Sequence, residues 1–326
     1  TSILRNRKAQ GLTTFVAYID AEKAFDRIDR NLMLYKLLAS GIGGKLYNSI
    51  KNVYASSHNV VNINGLLTQS FQSHYGVKQG DCLSTTLFNI YVNDMIDDLN
   101  AQNAGLRLGD LYISALLYAD DLVLLSDSEE GLQTLLDCVH AWCRKWRMKV
   151  NGSKSKLVHY RKRSQNRTEF QFHLGDQALE IVDQYKYLGV ILHEHLDYTV
   201  ISSVLAAAVG RALGAIISKV KRINGVGYST YTTMYNSGVA SILDYCAGIW
   251  GAGVHPKLDS IQNRAIRFFL GVHNFAPNAA IQGDMGWTQP HIRRKVHMLR
   301  LWNRLVQLSE DRLTKKISLW DLGQNN

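Results

Sequence analysis

Two adjacent carboxylates, Asp120 and Asp121, lie between the apolar runs Leu116-Leu117-Tyr118 and Leu122-Val123-Leu124-Leu125. Each run is long enough for a buried strand, so the acids fall at the turn of a hairpin. Two negative charges side by side next to a core cost free energy unless a cation or a hydrogen-bond network compensates them. A lone Asp-Asp is more often a solvated turn, because Asp favours turns through local hydrogen bonds. Here a third carboxylate, Asp20, ends another apolar run, Phe15-Val16-Ala17-Tyr18-Ile19, and that shifts the balance. Three acids on the ends of adjacent strands make an oxygen-rich site that suits Mg²⁺ or Mn²⁺.

The elements that must position these acids are legible on either side of them. Residues 13 to 19 read as a strand ending at Asp20. Asp29 can cap a short amphipathic helix through Leu32, Leu34, Leu37 and Leu38 that stops near Gly41, and a second helix follows over about 46 to 54. The alternation from Asn59 into Asn64-Gly65 predicts a hairpin whose partner strand runs from about Gln69 to Tyr75. Gly76-Val77-Lys78-Gln79-Gly80-Asp81 is a glycine-bracketed polar loop opening a helical run over 83 to 99, a setting where backbone and a Lys or Gln side chain can approach a ligand. Asp94, Asp97 and Asp98 near the end of that helix read as solvated.

Beyond the paired acids, Ser128 caps a helix whose stripe of Leu132, Leu135, Leu136, Val139, Cys143 and Trp146 reads as core. From Arg144 to Arg167 there are ten Lys and Arg and no acid. Such a run is usually a solvated face. Its lack of compensating acid, and the interleaved Trp146, His159 and Tyr160, suit a phosphate backbone. Residues 185 to 192 form a strand pair, and His193 and His195 read as ordinary polar positions. After residue 200 the pattern turns helical, near 201 to 222, 229 to 250, 257 to 270 and 290 to 309, punctuated by Pro256, Pro277 and Pro290. A domain boundary near residue 195 follows.

The 326 residues, 46% hydrophobic and 20% charged, have globular composition with room for two domains. Cys82, Cys138, Cys143 and Cys246 lack paired metal-ligand spacing and read as reduced and structural. No stretch reads as membrane-spanning, and the start lacks both an initiator Met and a signal-peptide pattern, so the expectation is an intracellular protein and a piece of a longer chain. The net charge of +10 is uneven: residues 1 to 130 carry 11 Lys and Arg against 14 Asp and Glu, and residues 131 to 326 carry 26 against 13. An acidic chemical centre followed by a basic half is what a polyanion lying across the second half and reaching metals in the first would require.

Five blocks in order, Tyr18-Ile19-Asp20 through Ala24-Phe25-Asp26, Gly76 to Asp81 with Leu83-Ser84 and Leu87-Phe88-Asn89, Tyr118-Ala119-Asp120-Asp121, Asn151-Gly152-Ser153-Lys154, and Tyr187-Leu188-Gly189-Val190, resemble a reverse transcriptase of the non-LTR (LINE-like) retrotransposon class. The resemblance covers about residues 13 to 195. It implies an α+β fold: a palm of antiparallel sheet backed by helices over 1–195 with part of the fingers, then a helical thumb and C-terminal extension over 196–326. It implies RNA-directed DNA synthesis from dNTPs with two Mg²⁺ or Mn²⁺ ions, on an RNA template, with a DNA primer and a target DNA, in the cytoplasm and nucleus.

The resemblance implies Asp20 and Asp120 as principal metal ligands with Asp121 assisting. Phe25, Gln79, Gly80 and Lys154 would meet the nucleotide. Lys156, Arg161, Lys162, Arg163, Tyr187, Leu188 and Gly189 would meet nucleic acid. Thr85 stands where the family usually has proline, and most of a fingers segment is missing ahead of the first block. Two other readings are a degenerate remnant that binds nucleic acid without polymerising and an RNA-dependent RNA polymerase, which usually carries Gly where this chain has Ala119.

Overall fold

In the computed structural model, residues 1–55 and 57–324 are described, and they divide into two compact units, residues 7–183 and residues 1–6 with 184–326. In the first unit, Thr14–Asp20 (β1) is rich in β-branched and aromatic residues and buried along six of its seven positions, as a central strand must be. The first unit also holds the helices Arg30–Ala39 (α1) and Cys82–Ala101 (α2), the hairpin Ala115–Tyr118 (β2) and Asp121–Ser126 (β3), the helix Glu129–Lys145 (α3), and the strands Lys156–Tyr160 (β4) and Glu180–Ile181 (β5). The sheet runs β5-β4-β1-β3-β2, antiparallel except for the short β4–β5 pairing. Phe15, Ala17 and Ile19 on one face of β1 join a core with Leu37 of α1, Phe88, Tyr91 and Met95 of α2, and Leu132, Leu136 and Val139 of α3.

Local signals place most of these elements where the sequence predicts them. Asp29 caps α1 by accepting from the amides of Asn31 and Leu32, and Ser128 caps α3 by accepting from Gly131. The 59–75 hairpin forms around Asn64-Gly65, both at positive φ as a tight primed turn requires, but as two short pairings, His58–Asn59 with Phe71–Gln72 and Asn62–Ile63 with Leu66–Leu67. The α1 stripe differs from expectation, since Leu38 is 50% exposed and Lys36 is buried in its place. The Lys36 ammonium lies 3.6 Å from the Trp146 ring centroid and 4.6 Å from that of Trp142, donates to the Tyr91 carbonyl, and pairs with Asp94 at 2.6 Å. Asp94, expected to be solvated, thus anchors a buried cation, and its Oδ1 also accepts from the Trp142 indole at 3.0 Å. Burial lowers the pKa of Lys36, and the hydrogen bond and charge of Asp94, with the cation–π contacts, counter part of that desolvation.

The second unit begins with an antiparallel pair, Gln184–Tyr187 (β6) and Val190–His193 (β7), and continues as helices. Among them are Tyr198–Arg222 (α4), Pro256–Leu270 (α5) and Pro290–Val306 (α6), the last two each starting on a proline, whose missing N–H costs nothing at a helix start. Contrary to the sequence reading, α4 is long and apolar enough, by length and composition, to cross a membrane. Its alanine-rich middle makes it so; Ile201, Val209, Leu213 and Val220 are buried, and most of its other residues are not. The helix expected over 229 to 250 is broken: Tyr228–Tyr235 passes through a π-helical turn at Asn236–Ala240, and the chain reverses at Cys246, φ 52°, before Ala247–Trp250.

Candidate active site

The β2–β3 hairpin closes in two residues. Tyr118 pairs with Asp121 across the turn, and Ala119 takes the left-handed conformation, φ 52°, that such a turn demands. On the other side of β3, the β1 register runs from Phe15 opposite Ser126 to Asp20 opposite Asp121. Residues directly opposite one another share a face, so the sheet itself brings Asp20 and Asp121 together. Asp120 sits in the turn beside them, exposed. The resemblance assigns Asp120 the larger share; the register gives Asp121 the position facing Asp20.

Electrostatics follow from this placement. Burial, then the charges of Asp120 and Asp20, raise the pKa of the Asp121 carboxyl. The one cation near Asp20 in an ion pair, among the described residues, is Lys154, whose Nζ is 3.9 Å from Oδ2 and whose side chain is mostly exposed. Among the described residues no three Asp, Glu, His or Cys side chains close into a metal cage. The acids form an open, oxygen-only, under-compensated cluster, and that donor chemistry fits a hard divalent cation.

The Asn151-Gly152-Ser153-Lys154 block is a turn folded against Asp20. The Asn151 amide donates to the Asp20 carbonyl at 2.8 Å, and the Asn151 side chain accepts from Ser153 Oγ at 2.7 Å. The Gly76–Asp81 loop is fixed to the segment after β1: the Gly76 amide donates to the Ile28 carbonyl at 2.8 Å, Val77 to the Phe25 carbonyl at 2.9 Å, and Gln79 Nε2 to Asp26 Oδ1 at 2.9 Å. Gly76, at φ +81°, has no room for a side chain, since a Cβ would stand 2.9 Å from the Asp26 carbonyl oxygen. Gly80, at φ +82°, faces open space. Phe25 stacks on Phe88 with centroids 4.8 Å apart and stays half-buried. Asp26, Arg30, Tyr75, Lys78 and Gln79 help line a groove of about 410 Å³.

Some cations of the basic run pair with acids outside it, which linear sequence does not reveal. Arg147 pairs with Asp29 at 2.8 Å, Lys149 with Glu22 at 3.0 Å, and Lys156 with Glu180 at 2.8 Å. Arg161, expected to face nucleic acid, is only 8% exposed. Lys162 and Arg163 remain at the surface. Tyr187, Leu188 and Gly189 belong to the second unit, where Leu188 (φ 46°) and Gly189 (φ 80°) form the tight turn between β6 and β7. Tyr245 OH donates to the Leu188 carbonyl at 3.0 Å, and its ring lies against Gly189. Sequence reasoning misses Tyr245, as it misses Ser155 beside Asp20.

A family model described as reverse transcriptase (RNA-dependent DNA polymerase) matches residues 2–192. The Pol polyprotein of the type-2 retrotransposable element R2DM of Drosophila melanogaster is 28% identical over 195 residues, 58% of this chain and 18% of that protein. The R2 Pol polyprotein of Nasonia vitripennis is 30% identical over 196 residues, 58% of this chain and 19% of that one. The RNA-directed DNA polymerase from mobile element jockey of Drosophila funebris is 26% identical over 279 residues, 82% of this chain and 30% of that protein. The chain thus spans less than a third of the length of these relatives. A solved structure of apo telomerase from Candida Tropicalis is a looser likeness, with 13% identity and a TM-score of 0.45, covering 91% of this chain and 47% of that chain. Well over half of the chain lies within the single family model, including all three acids: it belongs to the reverse transcriptase family, in the company of the non-LTR retrotransposon enzymes.

Proposed function

We propose that this chain carries the polymerising centre of an RNA-directed DNA polymerase of a non-LTR retrotransposon. It would join dNTPs to the 3′-hydroxyl of a DNA primer on an RNA template, next to a target DNA. The observation that carries the reading is the register that sets Asp20 opposite Asp121, with Asp120 in the adjoining turn. In the reaction the primer 3′-oxygen bonds to the α-phosphorus, the bond to pyrophosphate breaks, and the hydroxyl proton passes to solvent water. Asp20, Asp120 and Asp121 would hold two Mg²⁺ or Mn²⁺ ions, which supply charge stabilisation for both the attacking and the leaving oxygen.

The chain's own residues do the rest of the positioning. Lys154, exposed and paired with Asp20 at 3.9 Å, would give a proton to the departing pyrophosphate. Gln79 and Gly80 offer a polar, unobstructed edge for a template base and nucleotide, and Phe25 offers a ring under the sugar. Lys162 and Arg163 are the surface cations of the basic run suited to the phosphate backbone, and the Leu188–Gly189 turn would support the primer end. An intracellular site with cytoplasmic and nuclear stages accords with copying RNA into chromosomal DNA.

Primer extension on an RNA template with dNTPs or NTPs tests the reading. Extension with dNTPs and not NTPs, abolished in Asp20→Asn and Asp120→Asn, is the expected result. Binding of primer–template without extension under Mg²⁺ or Mn²⁺ would favour a non-polymerising binder, and extension with NTPs would favour an RNA polymerase.

A further inference from the structure

The ladder between β1 and β4 runs from Thr14 opposite Tyr160 to Tyr18 opposite Lys156 and is then interrupted by the turn of residues 151 to 155, with antiparallel pairing resuming only at the single bridge of Ala21 with Val150. Asp20 lies two residues beyond the last rung, so on this side its amide has no strand carbonyl to reach. A side chain takes that place. Ser155 Oγ accepts from the Asp20 amide at 3.0 Å and donates to the Asn151 carbonyl at 2.9 Å. The Asn151 amide returns a bond to the Asp20 carbonyl at 2.8 Å, and the Ser155 amide donates to the Asn151 carbonyl at 2.9 Å. Ser155 has no exposed surface, so its hydroxyl has no water with which to exchange these bonds.

We propose that Ser155 is a positioning residue for the Asp20 carboxylate, supplying one side-chain rung across the gap in the backbone ladder. Asp20 is held between two neighbours, the register with Asp121 on the β3 side and the Ser155 hydroxyl on the β4 side. The same hydroxyl ties Asp20 to the turn bearing Lys154, so carboxylate and ammonium keep one mutual geometry. The inference rests on the reading of Asp20 as a metal-binding group. It adds a residue whose side chain touches neither metal nor substrate. A group that fixes a ligating residue from behind sets the ligand's orientation, and its loss typically costs about 10–100-fold in metal affinity or activity.

Ser155→Ala and Ser155→Thr, compared with the unaltered protein, test it. Near-ultraviolet circular dichroism and thermal unfolding establish that each variant is folded. Amide hydrogen exchange then reads the rung directly: in Ser155→Ala the Asp20 amide should exchange at least about tenfold faster while Val16 and Ala17 keep their protection, and Ser155→Thr, which retains the hydroxyl, should restore it. Mn²⁺ binding without nucleic acid, followed by electron paramagnetic resonance, should weaken by about tenfold in Ser155→Ala, and kcat should fall about 10–100-fold with the dNTP KM nearly unchanged. Unchanged Asp20 exchange in Ser155→Ala overturns the proposal. So does faster exchange spread evenly over β1, which would mark Ser155 as merely structural. If the unaltered protein extends no primer, the polymerase reading fails, while the exchange and Mn²⁺ measurements still decide the role of Ser155.

Discussion

Asp121 carries the conflict at the centre of the site in its own proton affinity. Its raised pKa means that between the ordinary carboxylate range and its own shifted value the folded chain binds a proton that the unfolded chain has released. Stability therefore falls as pH rises through that window, and the penalty is fully present above it. Asp121→Asn removes the penalty, so without metal the variant should be more stable than the native protein at neutral pH, with the advantage shrinking as pH falls through the window. Denaturant midpoints across that range, with and without Mg²⁺, check this; a variant less stable at neutral pH would contradict it. At Phe25 the stack on Phe88 leaves the ring half-buried, able to serve both core and sugar. Phe25→Val should raise ribonucleotide use relative to dNTP by about 10–100-fold, as expected for removing a clash and an unpaired hydroxyl. A fall in both activities at constant ratio would make Phe25 a core residue only.

At the scale of elements, two glycines of one loop answer to different physics. Gly76 is pressed against the Asp26 backbone as well as held at positive φ, whereas Gly80 has the same φ sign and empty space beyond it. Gly76→Ala should cost about 3 kcal/mol or more of stability, and Gly80→Ala only about 1–2 kcal/mol from left-handed strain. Equilibrium unfolding of the two variants separates them, and equal losses would mean that the packing at Gly76 is unimportant. In the basic segment, exposure decides which cations are available: Lys162 and Arg163 are exposed and Lys156 is half-buried. Replacing Lys162 and Arg163 by Gln should flatten the salt dependence of duplex binding by up to about two log–log units, whereas Lys156→Gln, whose native ammonium is held by Glu180, should leave it nearly unchanged. Binding isotherms between low and moderate salt measure the slopes; a large effect from Lys156 would reverse the assignment.

Over the whole molecule the charge divides with the units. Residues 7–183 carry 20 Lys and Arg against 19 Asp and Glu, and the remaining unit carries 17 against 8. The sheet-bearing unit is thus nearly neutral despite its basic run, because acids elsewhere in it balance that run in number, and the helical unit holds nearly all the net positive charge. A long-range field of this kind attracts polyanions without reading their sequence. Lys219, Lys221 and Arg222, exposed in the last turn of α4, are part of it. Changing all three to Gln should weaken binding to two unrelated RNA sequences equally and reduce the salt slope, by about 0.7 for each single-strand phosphate that is no longer neutralised. An unchanged slope, measured by fluorescence anisotropy, would reduce them to solvated charges that complement the helix dipole.

What the sequence determined by itself is whatever neighbouring residues decide. Apolar runs around Asp120-Asp121 specified a hairpin turn, Asn64-Gly65 specified another, Asp29 and Ser128 specified helix starts, and the 3.6-residue stripe of α3 specified its buried face, because turn chemistry and periodicity act over a few residues. The ordered motifs made the family legible for the same reason. Tertiary structure decided the partners. β1 and β3 are about a hundred residues apart in the chain, and only their register could say that Asp121 faces Asp20. Lys36 lies outside the apolar stripe that the sequence predicts for its helix, and only the fold closes Trp142, Trp146 and Asp94 around it. The acids that neutralise Arg147, Lys149 and Lys156 come from Asp29, Glu22 and Glu180, and the hydroxyl that holds Asp20 comes from Ser155. Partners at such separations are chosen by the fold, and for the buried Lys36 and Ser155 an unpaired polar group would cost more than the local pattern can register.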